Sequence, residues 1–214
     1  MPEILYADAA VAVVVKPAGV LSQGDAEDVM PVLLQKQLGG TIFPVHRLDQ
    51  PTGGVMVYAR TQNAAAKLSA QMQSEAFGKE YLAVLDGAPE PAEGELHDLL
   101  FFDRQKGKSY AVRRKRAGVK DARLAYRVLA QAEGLTLVRV RLYTGRTHQI
   151  RVQFSSRGWP LTGDGKYGSR NNRCAPALWS AELHFAHPVT GETLIFRSQP
   201  PEAYPWTLFS PDSL

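Results

Sequence analysis

The sequence contains little that would favour a secreted, membrane-bound or disulfide-linked protein. Cys174 is the only cysteine among 214 residues, so an internal disulfide is excluded and a reducing compartment is expected. The apolar run Ala9–Val15 ends at Lys16-Pro17. It is too short to span a membrane and lacks the basic flank of a signal peptide. We therefore expect a cytoplasmic protein without membrane contact and interpret the run as a buried strand.

Repeats and low-complexity linkers are also absent, and hydrophobic residues make up 44% of the chain. This composition suits one well-filled core, and we expect a single domain over residues 1–214. Apolar runs and alternations predict strands that outnumber helices without a regular βαβ rhythm. The expected fold is therefore α+β, with a mixed, mainly antiparallel sheet and flanking helices. The predicted strands are Val11–Val15, Gly54–Tyr58, Glu80–Leu85, Ser109–Arg113, Arg123–Ala130, Leu135–Leu142, Ala181–Phe185 and Leu194–Arg197. The predicted helices are Val29–Leu38, Asn63–Glu75 and a third that opens at Thr147, buries Ile150 and Phe154, and ends at Gly158.

Positive charge is concentrated in one segment. Residues 103–127 contain ten lysines and arginines and two aspartates, a net charge of +8, whereas the whole chain carries +4. The densest part is Arg113, Arg114, Lys115 and Arg116. A solvated surface hairpin would explain such a run, but a basic segment on a mildly acidic body is typical of a protein that binds a polyanion. We favour nucleic-acid binding.

Two short motifs combine turn residues with charged side chains. In the first, Asp49 is followed by Pro51, Thr52 and two glycines and then by a predicted strand, so the turn would place the carboxylate at the edge of a sheet. A plain surface turn is the alternative. In the second, Thr144–Arg151, a predicted strand meets a helix that Thr147 could cap. Its Arg146 precedes the helix, and its Arg151 lies beside the apolar stripe, where an unpaired guanidinium would be costly, so an acidic partner is expected.

Other familiar patterns are not supported. Gly163–Gly168 satisfies G-x-G-x-x-G, but no strand precedes it and no helix follows it, so a dinucleotide site is rejected. The five histidines show no metal-ligand spacing. We therefore expect neither a metal nor a cofactor.

Taken in order, the motifs resemble those of the RluA family of pseudouridine synthases over about Glu3–Pro200. The matching segments are Ile4-Leu5-Tyr6, Lys16-Pro17-Ala18-Gly19, His46-Arg47-Leu48-Asp49 with Thr52 and Gly54, Lys79-Glu80-Tyr81-Leu82-Ala83, Thr144-Gly145-Arg146-Thr147-His148-Gln149-Ile150-Arg151, and Gly163-Asp164 with Tyr167-Gly168. Three positions depart from the family pattern. Gly53 replaces a common Ser, Gln153 replaces a common His, and the His that usually follows the Lys-Pro turn is replaced near Ser22-Gln23.

The resemblance implies an isomerase that converts uridines of structured ribosomal or transfer RNA to pseudouridine in a central RNA-binding cleft. By resemblance, Asp49 would be the catalytic aspartate, Tyr81 the tyrosine beside the target base, and Arg151 the basic partner of Asp49. Arg47 would face the RNA and Ile150 would pack around the uracil ring. We further expect Arg146 and the basic segment to contact RNA, and we expect a monomer that consists of the catalytic region alone.

Two other functions remain open at this level. A non-catalytic RNA-binding module would keep the basic segment but would not need Asp49, Tyr81 and Arg151 together. A hydrolase or nuclease could use His46 with Asp49, but such enzymes usually need a metal cluster or a nucleophile–base pair, and neither is evident.

Overall fold

The fold is that of a computed structural model and is described for residues 1–72, 74 and 76–214. The strands are β1 Glu3–Ala7, β2 Val11–Lys16, β3 Phe43–Pro44, β4 Gly53–Ala59, β5 Gly78–Asp86, β6 Glu93–Asp103, β7 Lys108–Val112, β8 Val119–Ala132, β9 Leu135–Leu142, β10 Leu178–Ala186 and β11 Thr193–Arg197. The helices are α1 Met30–Leu38, α2 Gln62–Gln71 and α3 Gln149–Ser155. Within these ranges, no helix has the length and apolar character needed to cross a membrane.

The chain divides into two compact units, where the sequence predicts one domain. Unit 1 comprises Met1–Glu80 and Trp179–Pro200, and unit 2 comprises Tyr81–Leu178 and Pro201–Leu214.

The sheet of unit 1 follows the order β1-β2-β4-β10, with β3 beside β4 and β11 beside β10. The pairs are antiparallel except β4 and β10, which run parallel where Gly53 faces Trp179 and Gly54 faces Ser180. The strands β2 and β4 are buried almost throughout, as expected for continuous apolar runs covered on both faces. Their valines pack with Leu68 of α2 and with Phe185.

The sheet of unit 2 follows the order β5-β9-β8-β6-β7, and its β6–β7, β6–β8 and β8–β9 pairs are antiparallel. In β8, Leu124 and Tyr126 are buried while Arg123 and Arg127 are exposed, the alternation of a strand with one covered face. The ring of Phe154 in α3 meets Tyr126 edge-on at 5.4 Å between centroids. The helix therefore lies on the apolar face of this sheet.

The α+β class, the eight predicted strands and the three predicted helices are confirmed. The sequence analysis missed β1, β3 and β6. Strand β3 has only two residues, and β6 mixes charged and apolar residues. The second helix ends at Gln71, and Gln73 and Glu75 of its predicted range lie outside the described residues. The predicted cap at Thr147 is wrong. His148 occupies the cap position in a left-handed conformation and forms no side-chain cap hydrogen bond.

Candidate active site

In unit 1, Asp49 occupies a tight turn at the start of β4. The amide of Thr52 donates to the carbonyl of Asp49 at 2.9 Å, and β4 begins one residue later. Gly54 has φ of 114°, and a Cβ there would lie 2.2 Å from the carbonyl oxygen of Ser180. Only glycine fits this backbone. The predicted turn is confirmed, and the half-buried Asp49 lies just before the first residue of β4.

Lys16 connects this turn to the loop that follows β2. Its side chain is fully buried, and its Nζ donates to the carbonyls of Pro17 at 2.8 Å, Val20 at 2.6 Å and Gln50 at 3.2 Å. The carbonyl of Gln50 also accepts the amide of Gly19 at 2.8 Å. One buried ammonium thus joins the turn after β2 to the residue next to Asp49.

Lys16 also has an electrostatic effect. Burial lowers the pKa of Lys16 to about 8, while attraction to Asp49 opposes that decrease. Asp49 therefore has a cationic neighbour in its own unit. The sequence analysis quoted Lys16 within a motif but gave it no role. The available signal was a lysine that ends an otherwise apolar strand.

Ser22 supplies a second link between the same two loops. Its hydroxyl donates to the carbonyl of Leu48 at 2.9 Å, and its own carbonyl accepts the phenol of Tyr58 at 2.8 Å. Ser22 is 3% exposed. Ser22 lies in the segment where the family usually has a histidine. Its hydroxyl therefore holds Leu48, the residue before Asp49, in place.

His46 is unsuited to acid–base chemistry. Burial, and then the charge of Lys79, lower its pKa to about 3, so the imidazole is neutral at physiological pH. Its Nε2 accepts the amide hydrogen of Val57 at 3.2 Å. A ring nitrogen already bonded to the backbone is not available to a substrate. This arrangement argues against a hydrolase that uses the His46/Asp49 pair.

In unit 2, Arg151 forms a buried two-point ion pair with Asp164. The distances are 2.6 Å from Nε to Oδ2 and 2.8 Å from Nη2 to Oδ1, and both side chains are almost inaccessible. The sequence predicts an acidic partner for Arg151 and assigns that role to Asp49 by resemblance. In unit 2 the carboxylate on Arg151 is Asp164, which the sequence analysis did not identify.

Tyr167 extends this cluster. The Arg151 guanidinium lies 5.0 Å from the centre of its ring, a cation–π distance. Its hydroxyl accepts the amide of Ser109 at 2.8 Å and lies 2.9 Å from Nδ1 of His148. Burial raises the pKa of Tyr167, although the Ser109 amide and Arg151 act in the opposite direction. These bonds fix α3 to β7.

The remaining predicted residues of the site lie in three settings. Tyr81, on β5, and Ile150, on α3, are buried, with 5% and 3% exposure. Arg47 and Arg146 are exposed. The basic cluster occupies the turn between β7 and β8, also exposed, where Lys115 pairs with Asp121 at 3.4 Å and Arg116 covers the ring of Phe101 at 4.8 Å. The cluster members are Arg113, Arg114, Lys115 and Arg116.

Two departures from the family pattern have a structural explanation. A Cβ on Gly53 would lie 2.3 Å from Cζ3 of Trp179, so the indole occupies the space that a serine would need. Gln153 is fully buried, and its Nε2 donates to Oδ2 of Asp98 at 2.8 Å. Arg157 donates to the same oxygen at 2.8 Å.

Comparison with known proteins identifies the family. The family model described as RNA pseudouridylate synthase matches residues 10–156. Ribosomal large subunit pseudouridine synthase D of Zymomonas mobilis subsp. mobilis is 34% identical over 94% of this chain and 69% of its own length. The tRNA pseudouridine synthase C of Vibrio vulnificus is 32% identical over 93% of this chain and 91% of its own length.

A solved structure agrees with this assignment. Human RNA pseudouridylate synthase domain containing 4 superimposes with a TM-score of 0.76 at 26% identity, covering 93% of this chain and 88% of the human one. The family model covers well over half of the chain, and relatives above 30% identity match nearly all of it. As its resemblance to RluA-family enzymes predicts, the chain belongs to the RNA pseudouridylate synthase family, a family of isomerases.

Proposed function

We propose that this protein isomerises specific uridines of ribosomal or transfer RNA to pseudouridine, acting as one catalytic domain over residues 1–214. The names of the two bacterial relatives support these two RNA classes. The observation that carries the proposal is the Asp49 turn, in which a half-buried carboxylate is held beside the fully buried ammonium of Lys16.

The reaction calls for a group of this kind. Pseudouridine contains the same atoms as uridine, with ribose bonded to C5 of uracil instead of N1. The enzyme must break a C–N bond, turn the base, form a C–C bond and remove the C5 proton. A carboxylate can act as a nucleophile toward the sugar or as a base at the 2′ position. Either role needs the ionised form, which a nearby cation stabilises.

The site residues receive the following roles in the proposal. Asp49 is the catalytic carboxylate, Tyr81 offers its ring to the extruded base, and Arg151 is the basic residue of the site. A base stacked inside a helix cannot react, so the target must be flipped out. Arg47 faces the RNA, and Ile150 packs around the uracil.

Exposed basic residues supply binding that does not depend on sequence. We assign phosphate contacts to Arg146 and to the turn that carries Arg113, Arg114, Lys115 and Arg116, because neutralising phosphates adds affinity without reading bases. In this proposal the protein works in the cytoplasm as a monomer, without a cofactor.

Release of tritium from C5 of uracil tests the proposal. The full chain is incubated with labelled ribosomal and transfer RNA, and both the released label and the RNA length are measured. A synthase releases label from intact RNA, a nuclease shortens the RNA, and a binding module does neither. RNA prepared from cells that lack this protein still has its target uridines unmodified. If the full chain releases no label from such RNA, the proposal is refuted.

Asp49→Asn is the matching variant, because it keeps the shape and removes the charge. We expect no label release from it, with unchanged folding and near-normal RNA affinity. Asp25→Asn, at an exposed position of the same unit, is the control and should behave as wild type. Turnover by Asp49→Asn within about tenfold of wild type, a barrier change of only about 1.4 kcal/mol, would remove Asp49 from the mechanism.

A further inference from the structure

One pocket lies within unit 2, and Arg146 is its only lining residue with a role in the function proposed above. It has a volume of about 230 Å³ and is lined by Leu100, Phe102, Ser109, Lys120, Arg146 and Thr147 together with two glycines. Ligand pockets for drug-sized molecules measure about 300–1,000 Å³. This space is smaller, so it suits a single nucleotide and not a whole dinucleotide cofactor.

The strand register places the pocket residues on one face. Leu100 and Phe102 are two apart on β6, so they point to the same side. Lys120 of β8 pairs with Leu100, and Ser109 of β7 pairs with Phe102. Cross-strand partners share a face. Three adjacent strands thus form the floor, and the segment containing Thr147 forms the opposite wall.

That wall is held in place by hydrogen bonds. The hydroxyl of Ser109 donates to the carbonyl of Thr147 at 2.6 Å. The side-chain oxygen of Gln149 accepts the amide of Arg146 at 3.0 Å and the hydroxyl of Thr144 at 2.8 Å. Gln149 also donates to the carbonyl of Arg123 at 3.1 Å. The pocket is preformed, so a ligand would not need to order this segment.

Two cations face the pocket, and no acidic residue lines it. The Nε of Arg146 donates to the carbonyl of Asp121 at 2.8 Å, which orients the guanidinium and leaves its two terminal nitrogens for a ligand. Lys120 is exposed, and its ammonium has no ion pair or hydrogen bond among the described residues. The carboxylate of Asp121 is already paired with Lys115 and with His97. A phosphate group would complement this arrangement.

The third feature is an exposed aromatic ring. Phe102 is 37% exposed. The ring of His148 meets it edge-on, with centroids 6.2 Å apart and planes at 85°. This contact supports Phe102 from one side. An exposed aromatic face beside uncommitted cations is the combination that binds single-stranded nucleic acid, by stacking with a base and neutralising its phosphate.

We propose that this pocket binds one unpaired nucleotide of the substrate RNA other than the target uridine, with its base on Phe102 and its phosphate on Lys120 and Arg146. The inference rests on the proposed function for the identity of the substrate. His148 connects the pocket to the Arg151 cluster, because it contacts Phe102 on one side and Tyr167 on the other. The bound nucleotide would thus anchor the RNA near α3.

The test is binding of a short labelled oligouridylate to the full chain over a range of salt concentrations. Lys120→Gln should lower the slope of log K against log salt by about 0.7, the single-strand value for one phosphate. Phe102→Leu keeps an apolar side chain but removes the aromatic face. It should weaken binding about 5- to 150-fold, the equivalent of one lost base stack, with an unchanged slope. Lys36→Gln, an exposed lysine of unit 1, should change neither quantity.

The outcomes separate this inference from the proposed function. If Phe102→Leu or Lys120→Gln binds the oligouridylate as wild type does, with the same slope, the pocket assignment is wrong even when wild-type protein releases tritium. If both variants behave as expected and wild-type protein releases no tritium, the pocket stands and the synthase assignment fails. Thermal melting of each variant verifies that it is folded. Phe102→Tyr, which keeps the aromatic face, should restore wild-type affinity.

Discussion

The guanidinium of Arg151 and the carboxylate of Asp164 form a two-point ion pair, with 6% and 1% of the side chains exposed. Each group is buried at a cost that the other helps to offset. Arg151 is therefore a structural residue of unit 2 as well as a proposed residue of the active site. A loss of activity after its substitution cannot be interpreted without a stability measurement.

We predict that Asp164→Asn lowers the free energy of unfolding by about 3–5 kcal/mol, the usual cost of removing one partner of a buried ion pair. Urea denaturation measures it. The control is Glu95→Gln, which breaks an exposed two-point pair with Arg123 and should cost about 0.2–1 kcal/mol. Equal losses for the two variants would show that burial of the Asp164 pair has no energetic importance.

Lys16 gives a prediction about pH. In the unfolded chain a lysine titrates near ~10.4, whereas burial lowers the pKa of Lys16 to about 8 in the folded protein. Between these values the unfolded state binds more protons, so raising the pH favours folding. The free energy of unfolding of wild type, minus that of Lys16→Met, should increase by on the order of 3 kcal/mol from about pH 8 to about pH 10.5. A difference that stays flat across this window would show that the pKa of Lys16 is not lowered in the folded protein.

The same lysine shows how far sequence reasoning extends. Periodicity identified β2 and β4, and turn residues located Asp49, because these signals are local. The partners of Lys16 are the carbonyls of Pro17, Val20 and Gln50. Backbone carbonyls carry no sequence signal, so this contact set could not be predicted. The Asp164 partner of Arg151 was also missed. The sequence analysis matched Gly163-Asp164 to the family but gave the carboxylate no role, because only the fold brings together residues thirteen apart.

Gly53 offers a prediction about packing. Gly53→Ser should destabilise the protein by about 1–3 kcal/mol, the usual cost of overpacking a filled core, because the new Cβ would collide with the Trp179 ring. Urea denaturation of a double-mutant cycle measures the conflict. Trp179→Leu alone should also be destabilising, since it loses buried surface and the bond from Nε1 to the Ser198 carbonyl. In the double variant the two losses should be less than additive. Strict additivity would mean that the cost of Gly53→Ser does not arise from a collision with the Trp179 ring.

The basic turn is tested by replacing Arg113, Arg114, Lys115 and Arg116 with Gln. If each residue neutralises one phosphate, the slope of log K against log salt for RNA binding should fall by roughly three to four units. All four side chains are exposed, so stability should change little. Lys115→Gln alone is a further test of whether the turn contacts phosphate or is only solvated, because the Lys115 ammonium already pairs with Asp121. A wild-type slope in the fourfold variant would reduce the cluster to a solvated turn.

Tyr81 should have two separable functions in the reaction. Its ring would stack on the extruded base, a contact worth on the order of 1–3 kcal/mol, and its phenol is a candidate to relay the C5 proton after the base is reattached. Tyr81→Phe keeps the ring and removes the oxygen. We therefore predict near-normal RNA affinity and intact cleavage of the C–N bond, with turnover stalled before proton loss. A rearranged nucleotide that still carries the C5 proton should then accumulate on the enzyme. Mass spectrometry of quenched reactions would detect this nucleotide, and its tritium would not be released.

Tyr81→Ala should lose both functions and bind the target more weakly. Because Tyr81 is 5% exposed, each variant needs a melting curve beside its rate. Tritium release by folded Tyr81→Phe at the wild-type rate would show that the phenol is not the base and that water or another side chain takes the proton.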